Sequence, residues 1–102
     1  MNLTTQLKEL IQKEKFLLTQ ILDLIHKIDS QKIWAKNNYP SLLKYLVYLG
    51  YSERQAYDRI QVTRLTHKVP LIKKKIQSGE INLTQASILQ RNTKKLENSF
   101  ST

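Results

Sequence analysis

Tyr57, Gln61, Arg64 and Lys68 stand at i, i+4, i+7 and i+11 along one stretch of the chain, with Arg54 one turn earlier. On a helix this spacing lines one edge, because residues three and four apart are surface neighbours. Guanidinium and amide groups at such an edge can pair with base edges, while Lys and Tyr reach phosphate oxygens. Asp58 lies beside the edge, where it would either oppose an incoming phosphate or hold Arg54 across one turn. A plain solvated helix face accounts for the same residues without a ligand. Lys73, Lys74 and Lys75 form a second cationic group. Three adjacent lysines spread around a helix, so at most two meet the same phosphate backbone, and a solvated charge run is the competing reading.

Patterns that support catalysis are missing. His26 and His67 are far apart in sequence and neither has a neighbour at metal-ligand spacing. His26 reads as a boundary residue of an apolar helix, and His67 as a helix C-terminal residue favoured by the dipole. There is no Gly-rich phosphate loop and no His-Glu-x-x-His pattern. The absence of Cys excludes disulfides, thiolate nucleophiles and cysteine-ligated metal centres. The expectation is a non-enzyme that needs no cofactor and no metal.

Charge placement narrows the partner. The chain has 102 residues and a formal net charge of +9, the size of one domain. In residues 1–30 the four lysines are cancelled by four acids. Residues 31–79 hold ten basic side chains against Glu53 and Asp58, leaving +8, and residues 80–102 contribute +1. A basic block inside a folded pattern points to a polyanion, nucleic acid before an acidic membrane surface. The apolar runs are short and the first 30 residues carry charges throughout, so neither a membrane span nor a secretory signal is expected. The chain reads as a cytoplasmic, intracellular domain.

The elements that must position these residues are all helical. Leu3, Leu7, Leu10, Leu17, Ile21, Leu24 and Ile28 follow a 3–4 spacing interrupted by Glu14, with Ile11, Leu18 and Ile25 as a second stripe. This predicts a helix from Leu3 to Ile28, with Phe16 and Leu22 off its main face. About 26 residues give a helix roughly 39 Å long, so it either packs along the domain or pairs with a second copy as a homodimer. Asp29 or Ser30 would cap a short helix holding Ile33 and Trp34. Pro40 suits the first position of a helix reaching Leu49, which Gly50 ends. Ser52 with Gln55 forms a capping box for a helix from Glu53 to Lys68, stopped by Val69-Pro70. Leu71 to Gln77 forms a short helix ended by Gly79. Asn82 with Gln85 repeats the capping-box spacing and starts a last helix through about Gln90, followed by a frayed tail over 92–102. The class is all-α: a small helical bundle with a long N-terminal helix and a helix-turn-helix-like pair across Gly50.

The run from Tyr39 to Ile60, continued by Arg64-Leu65, Val69-Pro70 and Ile76 to Leu89, resembles the helical region that precedes the nuclease module in bacterial HNH endonuclease-like proteins. Its most specific pieces are Leu49-Gly50-Tyr51-Ser52 with Ala56-Tyr57-Arg59-Ile60, and Gly79-Glu80-Ile81-Asn82-Leu83-Thr84, the latter also similar to helix starts in ParB-type DNA-binding domains. The resemblance covers roughly residues 20–90. It implies a DNA-handling module, with Tyr57, Arg59 and Arg64 on matched positions. In that family the catalytic histidines and metal ligands lie in the following module, and this sequence through Thr102 carries none of them, so nuclease activity does not carry over.

Together these readings give a three-part chain: 1–30 for packing or dimerisation, 31–91 as a basic DNA-binding core, and 92–102 as a tail. Phosphate contacts are expected from Lys44, Lys68, Lys73, Lys74 and Lys75, and groove contacts from Arg54, Tyr57, Gln61 and Arg64. The residues do not separate DNA from RNA. The alternative is a protein-interaction module that docks a partner through its long apolar helix.

Overall fold

The computed structural model describes residues 2–100, with side chains through Lys95. The fold is all-α, with six helices in the order α1 (Leu3–Ser30), α2 (Ile33–Lys36), α3 (Leu42–Leu49), α4 (Glu53–Lys68), α5 (Leu71–Ser78) and α6 (Leu83–Phe100), and no strand among the described residues. Among those residues no helix is long and apolar enough to cross a membrane.

Local chemistry sets most helix ends. Asn2 accepts from the Thr5 backbone N–H at 2.7 Å and opens α1. At α4 the Ser52 hydroxyl accepts from Gln55 N–H at 3.1 Å while the Gln55 side chain accepts from Ser52 N–H at 2.9 Å. Asn82 and Gln85 repeat this reciprocal bonding at 2.8 and 2.9 Å. Each box satisfies two N–H groups that the helix itself leaves unpaired.

Three expected boundaries differ. The helix after Asn38 starts at Leu42, because the Ser41 hydroxyl accepts from Lys44 N–H at 3.1 Å and takes the capping position, leaving Pro40 outside. Neither Asp29 nor Ser30 caps α2. The left-handed residue Lys32 (φ 52°) precedes it, Asp29 accepts from the Trp34 indole N–H at 3.3 Å, and Ser30 bonds back to the Lys27 carbonyl. The last helix does not stop near Gln90, so residues 92–100 are helix where a frayed tail was expected. Ala86, Ser87 and Gln90 are buried, and no Gly or Pro follows Gly79 to break the turn geometry those residues impose. The rest of that expectation, residues 101–102, lies outside the described residues.

α4 is the hub. It packs most extensively on α6 and also meets α1, α3 and α5. One core cluster joins Leu22 of α1 to Val62 and Leu65 of α4, Ile76 of α5 and Ala86 of α6. The other joins Ile25 of α1 to Leu42 and Leu46 of α3 and to Ala56 and Ile60 of α4. The inward face of α1 is therefore the stripe through Leu18, Leu22 and Ile25. Leu22, expected off the main face, is 2% exposed. Val69 is exposed where the chain leaves α4.

A buried polar link fixes α6 on α4. The Ser87 hydroxyl donates to Asp58 at 2.9 Å, and the other carboxylate oxygen accepts from Arg54 Nε at 3.2 Å. Of the two roles open to Asp58, holding Arg54 is the one observed. Replacing Asp58 with Ala orphans a buried hydroxyl, so a loss of about 1–3 kcal/mol is expected in urea unfolding. Ser87→Ala removes the donor and leaves Asp58 its Arg54 contact, so a smaller loss is expected.

Candidate nucleic-acid interface

Helix α4 has little free surface, and what it has decides where a ligand could lie. Its flank through Asp58, Gln61, Val62 and Leu65 follows i, i+3, i+4, i+7 and is the side bonded to α6 through Ser87. Gln61 is on that covered stripe and is only 7% exposed. The expectation that it reads a groove is corrected: tertiary packing buries the position that an isolated amphipathic helix would show to solvent. Arg59 is two residues from Tyr57, which puts it on the opposite side of the helix. Its guanidinium lies over the Tyr51 ring at 4.4 Å and donates to the Gln55 carbonyl at 3.2 Å. It lines a groove beside α1 and does not join the outer edge.

The outer edge that remains consists of Glu53, Tyr57, Arg64 and Lys68, of which Tyr57 is half-buried and the others exposed. Arg54 is exposed at its flank, with Asp58 as its partner. Lys44 of α3 approaches Glu53 at 3.7 Å, which brings the exposed side of α3 to the first turn of α4. There the structure assembles a group not singled out from sequence. The rings of Tyr39, Tyr45 and Tyr48 sit 4.9–6.3 Å apart, centroid to centroid. Tyr45 and Tyr48 share a face of α3 at i, i+3, and the Asn37–Pro40 turn returns Tyr39 to them. The i, i+3 spacing was readable, but the third ring needed the turn. Desolvation among these rings, and then the neighbouring Tyr48 phenol, raise the Tyr39 pKa above its ordinary 10.0.

The connection between α3 and α4 depends on Gly50, which has φ +130°. A Cβ built there meets nothing within 4 Å, so the Gly50→Ala variant tests backbone strain alone. A stability loss of about 1–2 kcal/mol is expected from thermal unfolding.

The α5 lysines separate as their adjacency requires. Lys73 pairs with Asp23 of α1 at 2.7 Å, Lys75 pairs with Glu80 at 3.1 Å, and Lys74 is exposed. Both pairs are partly exposed to solvent, where such pairs contribute about 0–1 kcal/mol, so a phosphate can compete for either lysine. The two histidines come together in space. The rings of His26 and His67 stack at 4.4 Å beside a small cleft shared with Asp23, Thr63, Thr66 and Lys73. No sequence spacing signals this pair, because the two rings come from packing of α1 on α4. Among the described residues no group of three side chains of metal-binding type comes together.

The long-helix residues divide. Leu3, Leu7, Leu10, Leu17 and Leu24 are exposed, while Ile21 and Ile28 pack against the second core cluster. The expected dimer seam is thus partly covered within the chain, at both Ile21 and Ile28.

Compared with known proteins, the chain matches no family model, no curated protein and no solved structure.

Proposed function

We propose that this chain is a non-catalytic DNA-binding module that docks on the phosphate backbone of a duplex through the outer edge of α4 and the adjoining face of α3. The observation that carries this reading is the edge itself: Tyr57, Arg64 and Lys68 at i, i+7, i+11 on the exposed side of α4, continued onto α3 by the contact between Lys44 and Glu53. The +8 balance of residues 31–79 favours association of this module with a polyanion. Lysine, arginine and tyrosine hydroxyls are the groups that bond phosphate oxygens. With Gln61 covered and Arg54 held by Asp58, base-edge readers are few, so binding depends more on the backbone than on sequence. The resemblance to the helical region of HNH endonuclease-like proteins supports the same class of partner.

The test is fluorescence anisotropy of the full chain on a random-sequence duplex of about three helical turns, between 50 and 200 mM salt. With phosphates neutralised by Lys44, Arg64 and Lys68, affinity should fall about 40-fold across that range, since log affinity changes by about 0.9 per contact against log salt. Absent binding at low salt, or binding indifferent to salt, overturns the proposal. Tighter binding to single strands of either DNA or RNA would move the partner class away from the duplex.

A further inference from the structure

The first half of α1 stands clear of the bundle: every residue from Asn2 to Glu14 is exposed. Its apolar side chains are nonetheless regular. In a heptad frame with Leu3, Leu10, Leu17 and Leu24 at d, the a positions are Leu7, Glu14, Ile21 and Ile28. Leu3 is 82% exposed, and Leu7, Leu10 and Leu17 are also exposed. A seam of leucines in water calls for a cover. The same seam forms one wall of a groove of about 840 Å³, where Leu10, Glu14, Leu17 and Ile21 face Ile76, Ile81 and Leu83. One chain thus carries both an uncovered apolar helix and an uncovered apolar groove along it.

We propose that α1 pairs antiparallel with α1 of a second copy, so that the first two turns of each helix fill the groove of the other. The arrangement is isologous, with one patch serving as both donor and acceptor surface. Glu14 decides the direction. A parallel pair sets the two Glu14 carboxylates against each other at an a position, a like-charge contact inside the seam. The antiparallel pair sets a against d and brings Glu14 within about one turn of Lys13 of the second copy. The groove decides the register. Centring the pair near residue 12 places Leu3 of the copy against Ile21 and Leu7 against Leu17. One heptad shorter leaves Leu17 uncovered. One heptad longer drives Leu3 against Ile28, which lies outside the groove. This proposal stands independently of nucleic-acid binding.

The experiment measures mass by light scattering on the full chain, free of nucleic acid, over a concentration series. Wild type should give twice the mass of one chain, and Leu7→Glu the mass of one. Leu7 is exposed and outside the core, so circular dichroism of that variant should match wild type. Leu24→Glu should stay dimeric, since Leu24 lies beyond the antiparallel overlap; a parallel seam would include it. Direction is read by oxidative cross-linking of single cysteines in a chain that has none. Ile11→Cys should link, because the paired positions lie about 3 Å apart along the axis, and Leu3→Cys should not, at about 27 Å. A monomeric wild type, a dimeric Leu7→Glu, or linkage at Leu3→Cys with none at Ile11→Cys overturns the proposal.

Discussion

Arg64→Glu is expected to weaken duplex binding by about 10- to 100-fold at 50 mM salt and to make the salt slope shallower by about one unit. The substitution removes one phosphate contact and sets a negative charge in its place, midway along the outer edge of α4. Arg64 is exposed, so unfolding of the variant should match wild type, which separates lost binding from lost folding. Arg54→Glu is a poorer probe of the same edge. Arg54 is tied to Asp58, and Asp58 holds Ser87 of α6; reversing its charge sets two carboxylates one turn apart and disturbs a buried bond. Tyr57→Phe provides the finer comparison. It keeps the ring that is half-buried on α4 and removes only the hydroxyl, so a loss of about three- to tenfold is expected if that hydroxyl bonds a phosphate. Unchanged affinity in Arg64→Glu would show that the outer edge of α4 is not the binding surface.

The second large effect concerns stability and contrasts two leucines two residues apart, on opposite sides of α1. Leu22→Ala is expected to cost about 3 kcal/mol, and Leu24→Ala about 0.5 kcal/mol or less, by urea unfolding. Leu22 is 2% exposed at the meeting point of α1, α4, α5 and α6, so its truncation opens a cavity bordered by Val62, Leu65, Ile76 and Ala86. Leu24 is 57% exposed and loses only surface contacts. The spacing of the sequence suggests the opposite order, since Leu24 lies on the 3–4 repeat and Leu22 does not. If the two variants lose equal stability, the assignment of the inward face of α1 is wrong.

That reversal shows where a sequence stops being informative about α1. A helix with leucine and isoleucine on more than half of its circumference declares that it is a helix, but several faces could be buried with similar gain. The choice among them belongs to the partners. α1 turns Leu18, Leu22 and Ile25 inward because α4, α5 and α6 offer apolar side chains to that stripe, and the regular seam through Leu3, Leu7, Leu10 and Leu17 is left outside.

What the sequence determined by itself is what local chemistry controls. The all-α class follows from 3.6-residue periodicity and from the absence of alternating strands. The ends of α4, the stop at Val69-Pro70, and the reciprocal caps at Ser52–Gln55 and Asn82–Gln85 depend on side chains within three residues of the backbone groups they satisfy. The concentration of positive charge in residues 31–79 is a property of the chain however it folds. Only the tertiary structure decided which charged and polar groups face outward. It buried Gln61, turned Arg59 onto Tyr51, tied Lys73 to Asp23 fifty residues away, and gathered Tyr39, Tyr45 and Tyr48. The physical reason is that a helix sets the angle at which a side chain leaves its own axis, whereas its exposure depends on which neighbours pack against that angle, and those come from distant parts of the chain.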